Sequence, residues 1–513
     1  MALLRFAATV GSFTLVSRVL GFLRDILIAR YVGAGMVADA FFIAFKLPNL
    51  FRRLFAEGAF NLAFVPLFAG RLKAEGEAAA MAFAEQALSV LLWSLIVFTT
   101  LAEIAMPWLM RGFAPGFAAD PDKFALAVAL TRITFPYLLF ISLVSLLAGI
   151  LNSVERFAAA AAAPILLNIC LIAGLLGFAR AFETPGHALA WAVAAAGVVQ
   201  LLWLAWNCHR AGLVPALVRP RLTPGVRRLL VLIAPAAIGA GVQQLNLLVD
   251  VIIASLLPTG SVSYLYYADR IVQLPLGVIG VAMGTALLPT LARQLRGGDV
   301  AAAEASQNRA LEYTLLLTIP AAAALAVIAW PVVSVLFQRG AFDAAATGAT
   351  AGALAAYAAG LPAFVLVKVL APGYFSREDT KTPLKIAVVC LIVNATLNLV
   401  LMGPLGHVGI ALASAISSWL NAGLLGLGLA RRGHLKPDAR LRRAVPRMIL
   451  AAAFMAATLW GAADWLAPWL TAGLGLKVLA LAALVAIGMV TFAVLAQLSG
   501  AARLGELVAL LRR

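Results

Sequence analysis

Long apolar runs recur along the whole chain, and they constrain its fold more than any other feature. A membrane-spanning helix needs about 20 mostly apolar residues, and the sequence predicts fourteen such helices. Their predicted bounds are 2–31, 35–70, 84–110, 124–152, 158–180, 187–207, 226–257, 262–292, 305–337, 345–373, 383–403, 405–430, 444–467 and 472–498. The period-two alternation of strands is absent from these runs, so we expect a helical bundle and not a membrane barrel. The predicted fold class is therefore an all-α integral membrane protein.

The composition excludes several classes of protein. Hydrophobic residues make up 63% of the chain and charged residues 12%, whereas soluble domains contain about 45–50% and about 25%. A soluble enzyme, a disordered tail protein and a peripheral amphipathic anchor are therefore excluded. Cys170, Cys208 and Cys390 are far apart in apolar stretches, and the four histidines are isolated. We therefore expect neither a disulfide framework nor a zinc or histidine metal site.

The basic residues between the runs predict the orientation of the chain. One set of alternate loops holds 24 lysines and arginines, and the other set holds only Arg111, Lys123, Arg180 and Arg339. The positive-inside rule assigns the first set to the cytoplasm, and an even number of spans puts both termini there. The net charge of +17 then reflects topology, and no nucleic-acid partner is expected. The first run continues into Arg18 and Arg24 without a processing pattern, so we expect no cleavable signal peptide.

Weak internal matches at an offset of about 225 residues predict two related lobes. The segment at 25–29 matches 250–254, Pro136 matches Pro362, and Asn168 matches Asn394. Because the offset spans six helices, the two copies share one orientation in the membrane, and substrate sites usually lie between such repeats. The predicted domains are an N-terminal lobe at 1–210, a basic linker at 211–225, a C-terminal lobe at 226–431, a basic loop at 432–443, and helices thirteen and fourteen with a cytoplasmic tail at 444–513.

Charges inside the apolar runs are concentrated in the first two helices. Eleven basic residues lie within runs, namely Arg5, Arg18, Arg24, Arg30, Lys46, Arg52, Arg53, Arg132, Arg270, Lys368 and Lys477. An intramembrane charge costs at least about 2.5–3.5 kcal/mol, so it usually faces a bundle interior or a wet cavity. In the second helix, Asp39, Lys46, Arg53 and Glu57 form one stripe, and Asp269 precedes Arg270 in the eighth.

Two interpretations of these charges remain open. In the first, they are structural: Lys46 bridges Asp39, Arg53 bridges Glu57, and the terminal Arg5 and Arg30 extend toward the interface. In the second, a set of arginines binds an anion, because it exceeds the nearby carboxylates Asp25, Glu57 and Asp269. This set is Arg18, Arg24, Arg52, Arg53 and Arg270. Arginine forks bind phosphate oxygens bidentately, which favours a phosphate-bearing ligand.

A second polar group lies in the C-terminal half. Asp250 accompanies Gln243, Gln244 and Asn246 on the seventh helix, and Asn394 and Asn398 are one turn apart on the eleventh. One carboxylate among neutral oxygens suits a small hard cation. An ordinary hydrogen-bonded cluster between helices is the alternative.

These residues resemble the MurJ (MviN) family of lipid II flippases, a branch of the multidrug/oligosaccharidyl-lipid/polysaccharide exporter superfamily. The resemblance covers essentially the whole chain. It is carried by Ser17-Arg18-Val19-Leu20-Gly21-Phe22-Leu23-Arg24-Asp25, Gly33-Ala34-Gly35, Asp39-Ala40-Phe41-Phe42, Phe45-Lys46-Leu47-Pro48-Asn49-Leu50, the segment 52–60, Tyr266-Tyr267-Ala268-Asp269-Arg270, and the segment 368–377. It implies two six-helix lobes in pseudo-twofold relation, with two extra helices beside the lipid tail.

The resemblance implies translocation of lipid II from the cytoplasmic to the periplasmic leaflet of the bacterial inner membrane, for cell-wall synthesis and without catalysis. It implies that Arg18, Arg24, Arg52 and Arg270 bind the pyrophosphate, and that Asp25, Asp39, Lys46, Arg53, Glu57 and Asp269 form a charge network around the cavity. No cofactor is implied, and the resemblance leaves open a sodium ion at Asp250, Asn394 and Asn398 or coupling to the membrane potential. Asn398 replaces a carboxylate of that sodium pattern. Membrane lipids are implied as partners, and other cell-wall synthesis proteins are compatible with the family.

Three rival functions are distinguishable by their residues. A drug or cation exporter of this superfamily predicts a cavity rich in carboxylates and aromatic residues, against the surplus of arginines. A membrane enzyme acting on the same lipid needs clustered catalytic carboxylates or a histidine–metal loop, and the sequence contains neither. A flippase for another polyprenyl-pyrophosphate-linked oligosaccharide shares the anionic group and remains the alternative.

Overall fold

The computed structural model describes residues 2–53 and 60–501, with the side chains of 2–10, 234–243, 278, 281, 282, 285 and 286 left out. Its helices are α1 (Ala2–Val32), α2 (Met36–Phe51), α3 (Asn61–Glu75), α4 (Glu77–Ile104), α5 (Met106–Phe113), α6 (Pro121–Thr134), α7 (Tyr137–Ser153), α8 (Phe157–Phe178), α9 (Pro185–Ala211), α10 (Pro224–Ser255), α11 (Ser261–Pro275), α12 (Val281–Arg296), α13 (Val300–Val327), α14 (Ala329–Phe337), α15 (Ala344–Phe375), α16 (Lys381–Leu405), α17 (His407–Arg431), α18 (Ala439–Trp465), α19 (Ala467–Leu470) and α20 (Leu474–Leu498). Short 3-10 turns lie at Pro115–Ala119 and Ala179–Ala181, and a π-helical turn lies at Leu276–Gly280. The described residues contain no strand, which confirms the all-α class.

Ten helical segments are long and apolar enough to cross a membrane within the described part of the chain. They are Glu77–Ile104, Pro121–Ser153, Phe157–Ala181, Pro185–Ala211, Val300–Val327, Ala344–Phe375, Lys381–Leu405, His407–Arg431, Ala439–Trp465 and Leu474–Leu498. Each overlaps a predicted span, so the chain is a multi-pass membrane protein. The predicted spans 2–31, 35–70, 226–257 and 262–292 all include residues whose side chains lie outside the description, so the total of fourteen stays a prediction.

The helices pack into two compact units, Met1–Ser263 and Tyr264–Arg513. In the first unit, α1 packs on α8, α9 packs on α7 and α8, and α2 packs on α6. In the second unit, α15 packs on α13 and α17, and α18 packs on α13 and α20. The predicted domain boundaries rest on the internal repeat, which this packing does not test, and they stay a prediction.

The segment between α9 and α10 is extended and bound along α4. The amides of Ala216, Val218 and Arg221 donate to Glu85 Oε1, Ser89 Oγ and Gln86 Oε1 at 3.2, 3.1 and 3.0 Å, respectively. A segment without helix or strand must find partners for its backbone donors elsewhere, and α4 supplies them. The basic linker predicted at 211–225 is thus an ordered part of the first unit.

A close approach of two backbones leaves no room for a side chain at Gly116 in the first unit. A Cβ added there would lie 2.1 Å from the carbonyl oxygen of Ser255, a backbone atom that cannot move aside alone. We expect Gly116→Ala to lower the free energy of unfolding by at least about 1–3 kcal/mol, the usual cost of overpacking. Gly112→Ala is the matched control, because a Cβ at Gly112 meets nothing within 4 Å. Equal melting temperatures of the two purified variants would contradict this close packing.

Candidate functional site

The buried centre of the α1–α8 contact is an ion pair extended by an amide. Arg24 Nε and Nη2 donate to Asp25 Oδ1 at 3.0 and 2.8 Å, and Nη1 donates to Asn168 Oδ1 at 2.9 Å. Asn168 Nδ2 in turn donates to the carbonyl oxygen of Ser17 at 3.0 Å. Arg24 and Asp25 are only 7% and 2% exposed. The structure therefore brings the predicted residues Arg24 and Asp25 together, and adds Asn168 to them.

Arg18 has a different environment on the same helix. It lies near the midpoint of the 31-residue α1, its side chain is exposed, and it forms no ion pair with a described residue. At 100° per residue, Arg18 is about 120° from Arg24 around the helix. Arginines thus lie on two sides of α1: Arg24 is buried between packed helices, and Arg18 is exposed.

Arg52 and Arg53 directly follow the C-terminal end of α2. Arg52 is half-buried, and its Nε donates to Asn49 Oδ1 at 3.0 Å. Asn49 Nδ2 donates to the carbonyl oxygen of Phe45 at 2.6 Å, and the Phe45 ring lies 6.0 Å from Arg24 Cζ. Arg53 is exposed. This chain of contacts links the last turns of α2 to the Arg24 site.

Asp39 is fully buried, and its carboxylate accepts four hydrogen bonds. Lys123 Nζ donates to Oδ2 at 2.8 Å, as does the amide of Gly260 at the same distance. The amide and the hydroxyl of Ser263 donate to Oδ1 at 2.9 and 2.6 Å. The predicted bridge from Lys46 to Asp39 is therefore wrong, because Lys123 supplies the cation and the remaining acceptor sites are filled by Gly260 and Ser263.

Lys123 is a member of the buried Asp39 cluster that sequence reasoning missed. It was predicted to be a loop charge, yet it is 3% exposed within α6, with its Nζ 4.2 Å from the Phe117 ring centre. Lys123 Nζ also donates to Thr259 Oγ1 at 3.2 Å. The polar run around Asp120 and Asp122 resembles a loop in sequence, and the polar partners of Lys123 lie on elements far along the chain. The other predicted bridge involves Glu57, which lies outside the described residues.

In the second unit, Arg270 and Asp269 lie half-buried on α11. The guanidinium carbon of Arg270 is 4.7 Å from the Tyr266 ring centre, and Arg270 Nη1 donates to Gln273 Oε1 at 3.4 Å. Gln273 Nε2 donates to Asp269 Oδ2. Gln273 thus connects Asp269 and Arg270, which the sequence shows only as adjacent residues.

The predicted sodium ligands belong to both units. Asp250 is half-buried on α10 of the first unit, whereas Asn394 and Asn398 are fully buried on α16 of the second. Within the described residues, no group of three histidine, cysteine or acidic side chains is placed to hold a metal ion. The sodium site stays a prediction.

Arginines within apolar helices suit an anionic ligand that moves through the membrane. An inward-facing multidrug resistance MATE transporter of the MOP superfamily is similar in fold, with a TM-score of 0.68 and 17% identity, over 81% of this chain and 94% of that one. A lipid II flippase MurJ in an inward closed conformation matches with a TM-score of 0.78 and 24% identity, over 95% and 98% of the two chains. These likenesses show that the chain shares its fold with both proteins.

The chain belongs to the lipid II flippase MurJ family, whose family model matches residues 28–497. A probable lipid II flippase MurJ of Rhizobium meliloti (strain 1021) is 49% identical over 511 residues, which is 98% of this chain and 95% of the relative. The lipid II flippase MurJ of Burkholderia cenocepacia is 40% identical over 472 residues, or 91% and 92%. Membership in this family confirms that the chain is a transporter and not an enzyme.

Proposed function

We propose that this protein translocates lipid II, the undecaprenyl-pyrophosphate-linked peptidoglycan precursor, from the cytoplasmic to the periplasmic leaflet by alternating access. The observation that carries the proposal is the placement of Arg18. A charge near the middle of an apolar helix costs at least about 2.5–3.5 kcal/mol unless it faces water or a ligand. An exposed guanidinium at that depth therefore supports a wet cavity that binds an anion, and the family relation supports lipid II as the anion.

The proposed mechanism uses binding without bond chemistry. Arg18, Arg24, Arg52 and Arg270 bind the pyrophosphate, whose oxygens accept paired hydrogen bonds from guanidinium forks. Asn49, Asn168 and Gln273 hold the side chains of these arginines in place. The lipid tail stays in the membrane beside the last two long helices. Release then requires that binding be tight enough to load the pyrophosphate and weak enough to let it leave.

The test is depletion of the protein in its host, followed by measurement of lipid II in the cells. We expect lipid II to accumulate, and we expect Arg18→Ala to fail to reverse this although its abundance in the membrane is normal. Arg30→Ala is the matched control, since Arg30 lies at the end of α1 with its guanidinium 5.6 Å from the Tyr31 ring centre. Accumulation of a different polyprenyl-pyrophosphate-linked oligosaccharide would favour the alternative flippase function.

We propose an inner-membrane location with both termini in the cytoplasm, on the basis of the basic loops. Loops 208–226 and 431–443 should then be cytoplasmic, and loops 111–123 and 338–344 periplasmic. We expect a cysteine at Arg219, which is exposed, to react with an impermeant maleimide only after the cells are lysed. A cysteine at the exposed Arg111 should react in intact cells. Labelling of Arg219→Cys from outside intact cells would reverse the orientation.

We also propose a sodium ion as the driving ion, held by Asp250, Asn394 and Asn398, with the membrane potential as the other source of energy. One carboxylate and two amide oxygens are suitable ligands for a hard cation. If this is correct, sodium should raise the melting temperature of the purified protein above its value in potassium. Asp250→Ala should abolish the difference. Equal melting of the unaltered protein in the two salts would favour a hydrogen-bonded cluster instead.

A further inference from the structure

A cationic pocket of about 290 Å³ lies in the second unit, where α13, α18 and the end of α20 meet. Its lining includes Glu312 of α13, three arginines of the first turns of α18, and Gly500 after α20. The three arginines are Arg440, Arg443 and Arg447, which share one face of the helix because they are spaced by three and four residues. The volume is close to the lower end of the range of about 300–1,000 Å³ that ligand sites occupy.

The carboxylates at and beside this pocket are already paired with Arg309 and Arg440. Glu312, 4% exposed, receives Arg440 Nε at 2.9 Å and also pairs with Arg309. Arg309 pairs with Asp438 as well. Within the described residues, neither Arg443 nor Arg447 forms an ion pair, and Arg447 Nη1 reaches the carbonyl oxygen of Gly500 at 3.5 Å. Among the described residues, the pocket therefore has two positive charges beyond those that its carboxylates balance.

The position of the pocket along α18 matches the polar surface of a bilayer. The apolar part of α18 begins at Met448, directly after Arg447. Beneath the arginines, Met448, Ala444 and Leu316 form a buried apolar cluster with side chains from the end of α20. Toward the outside, Leu450 and Leu498 are 60% and 79% exposed. A cationic rim thus lies above apolar surface, an arrangement typical of lipid head-group sites between helices.

We propose that this pocket binds the phosphate of an anionic glycerophospholipid, with Arg443 and Arg447 contacting the phosphodiester and the acyl chains lying on the exposed apolar side chains of α18 and α20. Guanidinium groups on one helix face can donate several charge-assisted hydrogen bonds to one phosphate. A zwitterionic lipid brings its own cation to an already cationic site, so the pocket should select anionic head groups. This site is separate from the proposed pyrophosphate arginines, and its test does not involve lipid II.

The test measures lipid binding to the purified full-length protein in detergent by native mass spectrometry, with phosphatidylglycerol and phosphatidylcholine as probes. We expect the unaltered protein to bind phosphatidylglycerol preferentially. The double variant Arg443→Ala/Arg447→Ala should bind it about tenfold more weakly, equivalent to about 1.4 kcal/mol. Arg442→Ala is the matched control, because Arg442 lies off this face and its Nε donates to the carbonyl oxygen of Pro437 at 2.8 Å. It should bind phosphatidylglycerol as the unaltered protein does.

Three outcomes would overturn the proposal. Equal binding of the two lipids to the unaltered protein would remove the head-group preference, and equal weakening by Arg442→Ala would reduce the site to general positive charge. Competition by sn-glycerol 3-phosphate at the same concentration as the lipid would assign the pocket to a soluble phosphate. If the double variant does not fold, the single variant Arg443→Gln at an exposed position gives the same comparison, and undiminished binding there also contradicts the proposal.

Discussion

Replacing Arg24 with alanine is expected to abolish growth support and to remove most of the protein from the membrane. The change takes from the buried Asp25 the guanidinium that lies 2.8 Å away, and it takes from Asn168 a donor at 2.9 Å. Removing one partner of a buried ion pair typically costs about 3–5 kcal/mol. Because proteins are stable by only about 5–15 kcal/mol, this loss is large. Immunoblots of membranes and complementation of a depletion strain measure the two effects.

Arg18→Ala is the control that separates binding from folding. Arg18 is exposed, so its removal should abolish growth support at normal abundance. The double variant Arg24→Ala/Asp25→Ala removes both charges of the pair, and it should recover abundance without recovering growth. Normal abundance of Arg24→Ala would show that the pair contributes little to folding. Degradation of Arg18→Ala would instead assign both arginines to a structural network.

Replacing Asp39 with alanine should destabilise the protein as strongly as replacing Arg24 does, and it should lower the melting temperature of the purified protein. Lys123, 3% exposed, would lose the carboxylate at 2.8 Å and retain the Thr259 hydroxyl at 3.2 Å. The amides of Gly260 and Ser263 would also lose their acceptor. A buried charge without its partner again costs about 3–5 kcal/mol, and each buried donor without an acceptor adds about 1–3 kcal/mol.

Two further variants test the identity of the partner. Asp39→Ala/Lys123→Met removes both charges and should recover part of the lost melting temperature. Lys123→Met alone should lower the melting temperature about as strongly as Asp39→Ala, because it leaves the buried Asp39 carboxylate without its cation. If Lys46→Met destabilises the protein as much as Asp39→Ala, and Lys123→Met does not, the bridge predicted from helical spacing would be the better account.

The class of fold was predictable because hydrophobicity is a property of each run by itself. A helix such as Leu474–Leu498 needs no partner to be identified as a span, and its predicted bounds of 472–498 are close to those observed. The same holds for the concentration of arginines in α1, since a charge is conspicuous wherever its neighbours are apolar. Both the apolar runs and the arginines within them can be identified without knowledge of the tertiary structure.

The partners of the charges were not predictable in the same way. Lys123 is 84 residues from Asp39, and Asn168 is 144 residues from Arg24, so spacing along one helix cannot find either. The spacing along the second helix instead indicated Lys46 as one possible partner. Lys46 lies on the same helix face as Asp39 but does not contact its carboxylate. Gln273 is the exception: it is one turn from Asp269, and the i, i+4 relation could have indicated it.

The segment bound along α4 has a consequence for how its sequence can change. Its amides at Ala216, Val218 and Arg221 are the groups that α4 recognises, and every residue except proline supplies an amide donor. The side chains at these three positions can therefore be substituted without loss of these hydrogen bonds, whereas the acceptors Glu85, Gln86 and Ser89 on α4 cannot. The native Pro215 and Pro220 lie at positions whose nitrogens make none of these contacts. Orthologous chains should thus vary at these three positions while the course of the segment along the helix is retained.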